Sequence, residues 1–299
     1  MIITDKTIKD IRSKLETRNA ILGVIAGKQP GSYEVNDWQD VQRIVRNGIA
    51  PKVFAIGEQF IVPYTIGTVT YDCPFDVVHF GEVELEDGTT THGMFLQQHF
   101  ATVESIQFDA IEPSNADANI QRYGYNRYSQ SAVRQWLNSD ADNGGWWTAQ
   151  SATDMPPSQL NSMSGYLRRL DKDFQSVLGN VRMDIAANTV TDGGAIDTVY
   201  DKIFLPSVEQ MYGAPELAGQ EGQYWEYWKT RTELSAPNNA AIDSRKIFAL
   251  NAQTSPQSCW LRSAYRGASY SAWHVNTSGQ VGSYAAYGSN RCAPACVIC

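Results

Sequence analysis

Between Pro51 and Phe100 the chain is dominated by residues that suit a pleated, half-buried surface, and no other stretch constrains the fold as much. VFAIGEQFIVPYTIG and TVTYDCPFDVVHFGEVELEDGTTTHGMFLQQHF are rich in Val, Ile, Phe and Tyr, the side chains enriched in strands. Gly57, Pro63, Gly67 and the Asp87-Gly88 pair punctuate them. Asp-Gly readily adopts the positive φ angles of a tight hairpin turn, so GEVELE and TTTHGMFLQ are predicted to pair antiparallel.

Helical patterns flank this sheet. Ile8, Ile11, Leu15, Leu22 and Ile25 form one apolar stripe at helical spacing. A second helix is predicted from Asp37 to about Asn47, with Asn36 and Gln39 as a capping box and Gly48 as its stop. Trp38, Val41, Ile44 and Val45 share its inner face, and Gly27–Ser32, containing Pro30, separates the two helices. Beyond residue 128, Ser129 is expected to cap a helix bearing Val133, Trp136 and Leu137. Another helix is expected from Ser164 to Leu178, and a short one bracketed by Ser207 and Gln210 should stop at Gly213. NVRMDIAANTV, TVYDKIFLP, KIFALN and CWLRSA read as strands. Helices and antiparallel strands that are segregated rather than alternating define an α+β chain. The expected organisation is a helical extension over residues 1–50 and a main domain over 51–299. The extension could pack on that domain, or on copies of itself to make a homo-oligomer.

Charge narrows the possible roles. Lys and Arg number 24 against 32 Asp and Glu, a net charge of −8, which discourages nonspecific nucleic-acid binding. No apolar run reaches the length of a membrane span. MIITDKTIKDIRSKLE lacks an apolar signal core, so no secretory signal is expected. The charge is also unevenly placed. Ser258–Cys299 contains no Asp, Glu or Lys and carries only Arg262, Arg266 and Arg291, so +3 sits there against −11 elsewhere.

Signatures of catalysis are missing. His79, His92, His99 and His274 form no metal-binding pair, and neither a nucleophile elbow nor a phosphate-binding loop occurs. His79 and His99, lying in apolar strands, are predicted to be hydrogen-bonded structural residues. Asn138, Asp140 and Asp142 alternate as calcium ligands do, but the glycine and glutamate positions of an EF-hand loop hold Asn143 and Ala149. RCAPACVIC spaces Cys292, Cys296 and Cys299 unlike a zinc site, and buried free thiols are the simpler reading. No metal and no cofactor is expected.

The stretch 263–290, SAYRGASYSAWHVNTSGQVGSYAAYGSN, is the informative one. It contains 6 Ser, 4 Tyr, 4 Gly and 2 Asn, the alphabet from which antibody paratopes are built. Tyr gives large amphipathic contact area at low entropy cost, and small polar residues give adaptable hydrogen bonds. Its freedom from Lys, Glu and Asp matches the depletion of charge at interface cores.

CWLRSAYRG, VNTSGQV and RCAPACVI, with upstream SAVRQWLNSDADNGGWW, LDKDFQSVLGNV, NTVTDGG and DKIFLPSVEQMYG, resemble the variable proteins of diversity-generating retroelements. FAIGEQFIVPYT, FDVVHFGEV and GMFLQQHFAT agree, so the resemblance covers about residues 40–299. The group it is similar to has a C-type lectin fold and occurs in phages and prophages of gut bacteria. The resemblance implies a rigid domain whose variable region is rewritten by an error-prone reverse transcriptase acting at template adenines. Members include phage receptor-binding proteins and some proteins of bacterial surfaces. It implies a non-enzymatic protein on a phage virion or, less favoured, a bacterial cell surface, that binds a protein or glycan ligand on a bacterial surface.

Carried over by position, the ligand-facing residues are Tyr265, Arg266, Ser269, Tyr270, Ser271, His274, Ser283, Tyr284, Tyr287, Ser289 and Asn290. Trp273 joins them as contact or anchor, although neither it nor Gln280 can arise from an AAC codon by adenine changes. Trp260, Leu261, Arg262, Val275, Val281, Ala293 and Pro294 fall in the implied framework. The calcium-dependent sugar motif of true lectins is absent. The same broad fold includes the formylglycine-generating oxidases, an alternative that would use the tail cysteines. A structural virion component whose tail packs on a neighbour is a further alternative.

Overall fold

The computed structural model describes residues 37–229 and 245–299, together with Ser13. The first predicted helix, the Gly27–Ser32 break and Asn36 lie outside the described residues. What is described is α+β, mostly antiparallel sheet with short helices. The strands are β1 (Gln59–Ile66), β2 (Val69–Glu84), β3 (Thr90–Gln98), β4 (Ile106–Gln107), β5 (Val181–Ala186), β6 (Ile196–Asp201) and β7 (Ile203–Phe204). They continue as β8 (Ile247–Ala249), β9 (Ala252–Gln257), β10 (Cys259–Ala264), β11 (Ser271–Val275), β12 (Val281–Ala285), β13 (Ser289–Asn290) and β14 (Ala295–Ile298).

The main sheet has the order β1-β2-β3-β14-β7. The predicted hairpin forms, with Glu84 opposite Thr90 and Gly88 at a φ of 81° in the turn. Pro63, which cannot donate to a ladder, lies on the edge strand β1. Side chains alternate across this sheet. Phe75 and Leu96 face one side, where Trp38 packs at 5.7 Å from Phe60 and 4.8 Å from Phe174. On the other side Phe95 meets Trp225 at 6.0 Å, and the Trp228 indole donates to Gln97.

Helix Trp38–Arg46 buries Trp38, Val41, Ile44 and Val45 as its stripe predicts. Its cap is Asp37, whose carboxylate accepts from the Asp40 amide, in place of the expected Asn36 box. Similarly, Ser131 rather than Ser129 caps helix Ala132–Leu137, because Ser129 donates instead to Asp197. The helix expected over 164–178 is two short ones, Tyr166–Arg169 and Lys172–Ser176. Leu170 between them is extended and bridges Tyr64, and Asp171 starts the second helix by accepting from Phe174 N. A strong cap in mid-stripe ends one helix and begins the next. The Ser207–Gln210 capping box forms, and Gly213 closes that helix in the left-handed region. No helix among the described residues is long and apolar enough to cross a membrane.

Candidate ligand-display surface

The segment 263–290 builds most of a second sheet, β10-β11-β12. β11 and β12 form a hairpin with Trp273 opposite Ser283 and His274 opposite Gly282. Its turn is encoded locally. The Asn276 carboxamide oxygen accepts from Ser278 N and Gln280 N, and Gly279 takes a φ of 83°. β12 is one of the two outer strands of this sheet and the exposed one, whereas β10 is buried.

The predicted ligand-facing residues separate into groups. Tyr265, Tyr284 and Tyr287 are exposed at 38%, 49% and 45%, unusual for large aromatic side chains, and Ser283 and Ser289 are exposed beside them. Arg266, Tyr270 and His274 are half-buried. Ser269, Ser271 and Asn290 are buried, contrary to the expectation that they face outward, and Trp273 is buried as the anchor alternative has it. The reasons are local. The Ser269 hydroxyl donates to Asp117, Ser271 lies on the central strand β11 between β10 and β12, and Asn290 stands opposite the fully buried Ile106 in β4. Trp273 lies edge-on against Tyr265 at 5.1 Å, an anchor beneath an exposed ring.

The aromatic residues gather in clusters. Tyr284 sits 6.0 Å from His274 and 6.1 Å from Trp260, which the Ile106 carbonyl holds through the indole N–H. Tyr270 and Tyr287 lie 4.9 and 6.1 Å from Tyr123, whose ring also carries the Arg122 guanidinium at 5.3 Å. Tyr123 and Arg122 belong to this surface and were missed by sequence reasoning. Their signal was QRYGYNRY, an Arg and Tyr cluster flanking Gly124. That glycine is obligatory, because a Cβ there would lie 2.9 Å from both Asp109 O and Tyr287 N.

How the segment is held matters most. Asn126 is fully buried, and its side-chain amide donates to the carbonyls of Tyr265, Ala268 and Ser271 at 3.3, 2.7 and 2.7 Å. Its backbone amide donates to Ser269 O, and Asn188 donates to its carboxamide oxygen, fixing its orientation. Thr189 donates through N and Oγ1 to Arg266 O, and Gln107 donates to Tyr287 O. The Tyr212 hydroxyl donates to Gly279 O, and the Asp109 amide to Ala286 O. Apart from the Asn126 carboxamide oxygen, each of these acceptors is a main-chain carbonyl of the segment, which is present whatever side chain the residue bears. Side-chain bonds to the scaffold are made at Ser269, to Asp117, at Ser289, from Gln159 at 2.9 Å, and at Ser263, which accepts from the Val208 amide and donates to Glu221.

The other candidate groups do not assemble a reaction centre on this surface. All five cysteines are free and buried. Burial raises their thiol pKa values, that of Cys299 to about 11, so the reactive thiolate is suppressed. His99 is hydrogen-bonded as expected, to Asp76 at 2.7 Å, and the His79 ring is hydrogen-bonded to the Gln223 side chain, its Nδ1 being buried without a partner. In the Asn138–Asp142 loop, the Asn138 carboxamide accepts from the Lys202 and Ile203 amides. Asp142 pairs with Arg168 at 2.8 Å, and Asp140 lies 3.9 Å from Lys172. These side chains point to separate partners, and among the described residues no group of three or more His, Cys, Asp or Glu could hold a metal.

The chain belongs to the family described as a domain of unknown function, DUF6273, which it matches over residues 94–299, more than half its length. No curated protein matches it, and no solved structure does.

Proposed function

We propose that this chain is a non-enzymatic ligand-binding protein with a C-type lectin-like fold, a variable protein of a diversity-generating retroelement. Its hypervariable surface is the exposed part of 263–290, centred on Tyr265, Ser283, Tyr284, Tyr287 and Ser289, with Arg266, Tyr270 and His274 at its margin. The observation that carries this reading is the clamp at Asn126, Thr189, Gln107 and Tyr212, which grips main-chain carbonyls. A scaffold that holds the backbone without reading side chains tolerates their replacement. The tyrosines supply rigid contact area, and the serines supply polar contacts of small steric demand. Burial of the five thiols favours this reading over an oxidase that uses them. The partner is a protein or glycan on a bacterial surface, and the protein is displayed on a phage or prophage-derived virion, where many copies would raise a modest single-site affinity.

Randomising Tyr265, Ser283, Tyr284 and Tyr287 together, with display selection against intact gut bacteria, tests the proposal. Folded variants with altered cell binding are expected at high frequency. A library that mostly fails to fold would place these residues in the core and overturn it.

A further inference from the structure

A cavity of about 510 Å³ opens beside the main sheet, and none of residues 263–290 lines it. Phe95, Phe204, Trp225 and Met183 form its apolar walls, a size and lining within the range of small-molecule sites. Arg262 on β10 and Glu221 form part of its lining, both almost completely buried. The other guanidinium nitrogens are engaged. One donates to Leu205 O and Gln210 Oε1 at 2.9 and 2.7 Å, and another to Glu221 O. Nε of Arg262 is buried without a hydrogen-bond acceptor, and the closest Glu221 carboxylate oxygen stands 4.0 Å away. That carboxylate is already taken up by the Ala186 amide and the Ser263 hydroxyl. Arginine nitrogens donate and never accept, so Nε leaves one unanswered donor in the lining. The unpartnered His79 Nδ1 belongs to the same cavity, with its ring 5.5 Å from Phe95.

The charges around the cavity decide what can answer that donor. Glu82, Glu84 and Asp184 line it together with Arg182, which bridges Glu84 at 3.1 Å and Asp184 at 3.3 Å. Counting Glu221 and Arg262, carboxylates outnumber guanidinium groups, so an anionic ligand meets net repulsion. We propose that this cavity binds a small neutral molecule with a flat apolar body and a carbonyl oxygen, such as an aromatic amide. The ring lies between Phe95, Trp225 and Met183, and the carbonyl accepts from Arg262 Nε. Unlike the variable surface, this site is made of side chains held in the scaffold. It stands or falls independently of the display reading.

Benzamide, benzoate and benzylammonium are the probes, titrated into the full chain and followed by ligand-observed NMR and by tryptophan fluorescence. Benzamide is expected to bind saturably, and benzoate about tenfold or more weakly because of like-charge repulsion. Met183→Trp fills the cavity and is expected to abolish benzamide binding. Gln223→Trp, at an exposed lining position, blocks the mouth without touching the core and keeps the test valid if the first variant misfolds. Tyr284→Ala should leave benzamide binding unchanged. Absence of saturable benzamide binding overturns the proposal, as does equal binding by wild type and Gln223→Trp. Benzoate binding more tightly than benzamide overturns the assigned polarity.

Discussion

β12 and β14 come from one tail free of Asp, Glu and Lys, only nine residues apart, yet they have opposite fates. β14 lies between β3 and β7 in the main sheet with all four residues buried. β12 is an outer strand of the small sheet and presents Ser283 and Tyr284 to solvent. The absence of Asp, Glu and Lys therefore does not separate buried from exposed strands in this chain. The two strands differ in their ladders, β14 being paired on both sides and β12 with β11 alone, although β10, also paired only with β11, is buried throughout. Composition adds the second distinction, since ACVI is aliphatic and thiol-bearing while VGSYA carries Gly, Ser and Tyr.

The comparison breaks first where β14 is attacked. Val297→Asp places an unpaired carboxylate beside Gly93, where even an added Cβ would stand 2.7 Å from the valine. A loss of about 4 kcal/mol is expected by urea denaturation. Tolerance of the change would show that β14 is not core. Asn126→Ala comes next. It deprives the carbonyls of Tyr265, Ala268 and Ser271 of their shared donor, and about 2–3 kcal/mol should be lost. Cell binding should fall with it, because the loop that carries Tyr265 loses its anchor. Intact stability would mean that the clamp is not what holds the segment.

Much of this fold was legible in the sequence, and the exceptions have physical causes. The hairpin at Asp87-Gly88, the box at Ser207 and strand CWLRSA follow from local rules that tertiary contacts reinforce. The helix expected over 164–178 fails because periodicity registers a stripe but not the cap at Asp171 that interrupts it. Over residues 263–290, composition marked a candidate region but not the direction of each side chain. Ser269 and Ser271 share an alphabet with Ser283, and only their places, Ser269 against Asp117 and Ser271 on the central strand β11, distinguish them from Ser283 on the edge strand β12. Asn126 was invisible for a different reason. Its acceptors lie more than a hundred residues away, and a single asparagine beside QRYGY carries no spacing signal.

A smaller effect distinguishes the margin of the surface from its exposed centre. Burial lowers the pKa of His274 below the ordinary imidazole value of 6.5, so the unfolded chain takes up this proton first. The resulting stability is present in full above about pH 6.5 and is lost as pH falls towards the folded-state value. Wild type should therefore lose more stability than His274→Gln between about pH 7.5 and 5.5. Parallel losses in denaturant midpoints would place His274 in water, with the exposed residues.

The smallest expected change in stability is also the sharpest test of the comparison. Tyr284 and Tyr287 are nearly half exposed, and the bonds that hold their strand and turn end on main-chain atoms. Removing either ring leaves those bonds intact, so Tyr284→Ala and Tyr287→Ala should each stay within about 0.5 kcal/mol of wild type. The double variant should be close to the sum, since Tyr284 packs on His274 and Trp260 while Tyr287 packs on Tyr123. Binding should respond very differently, because exposed aromatic anchors dominate contact energy where they are used. A pair of variants that melts like wild type and no longer binds cells separates display from scaffold. If instead stability fell by several kcal/mol, β12 would belong with β14.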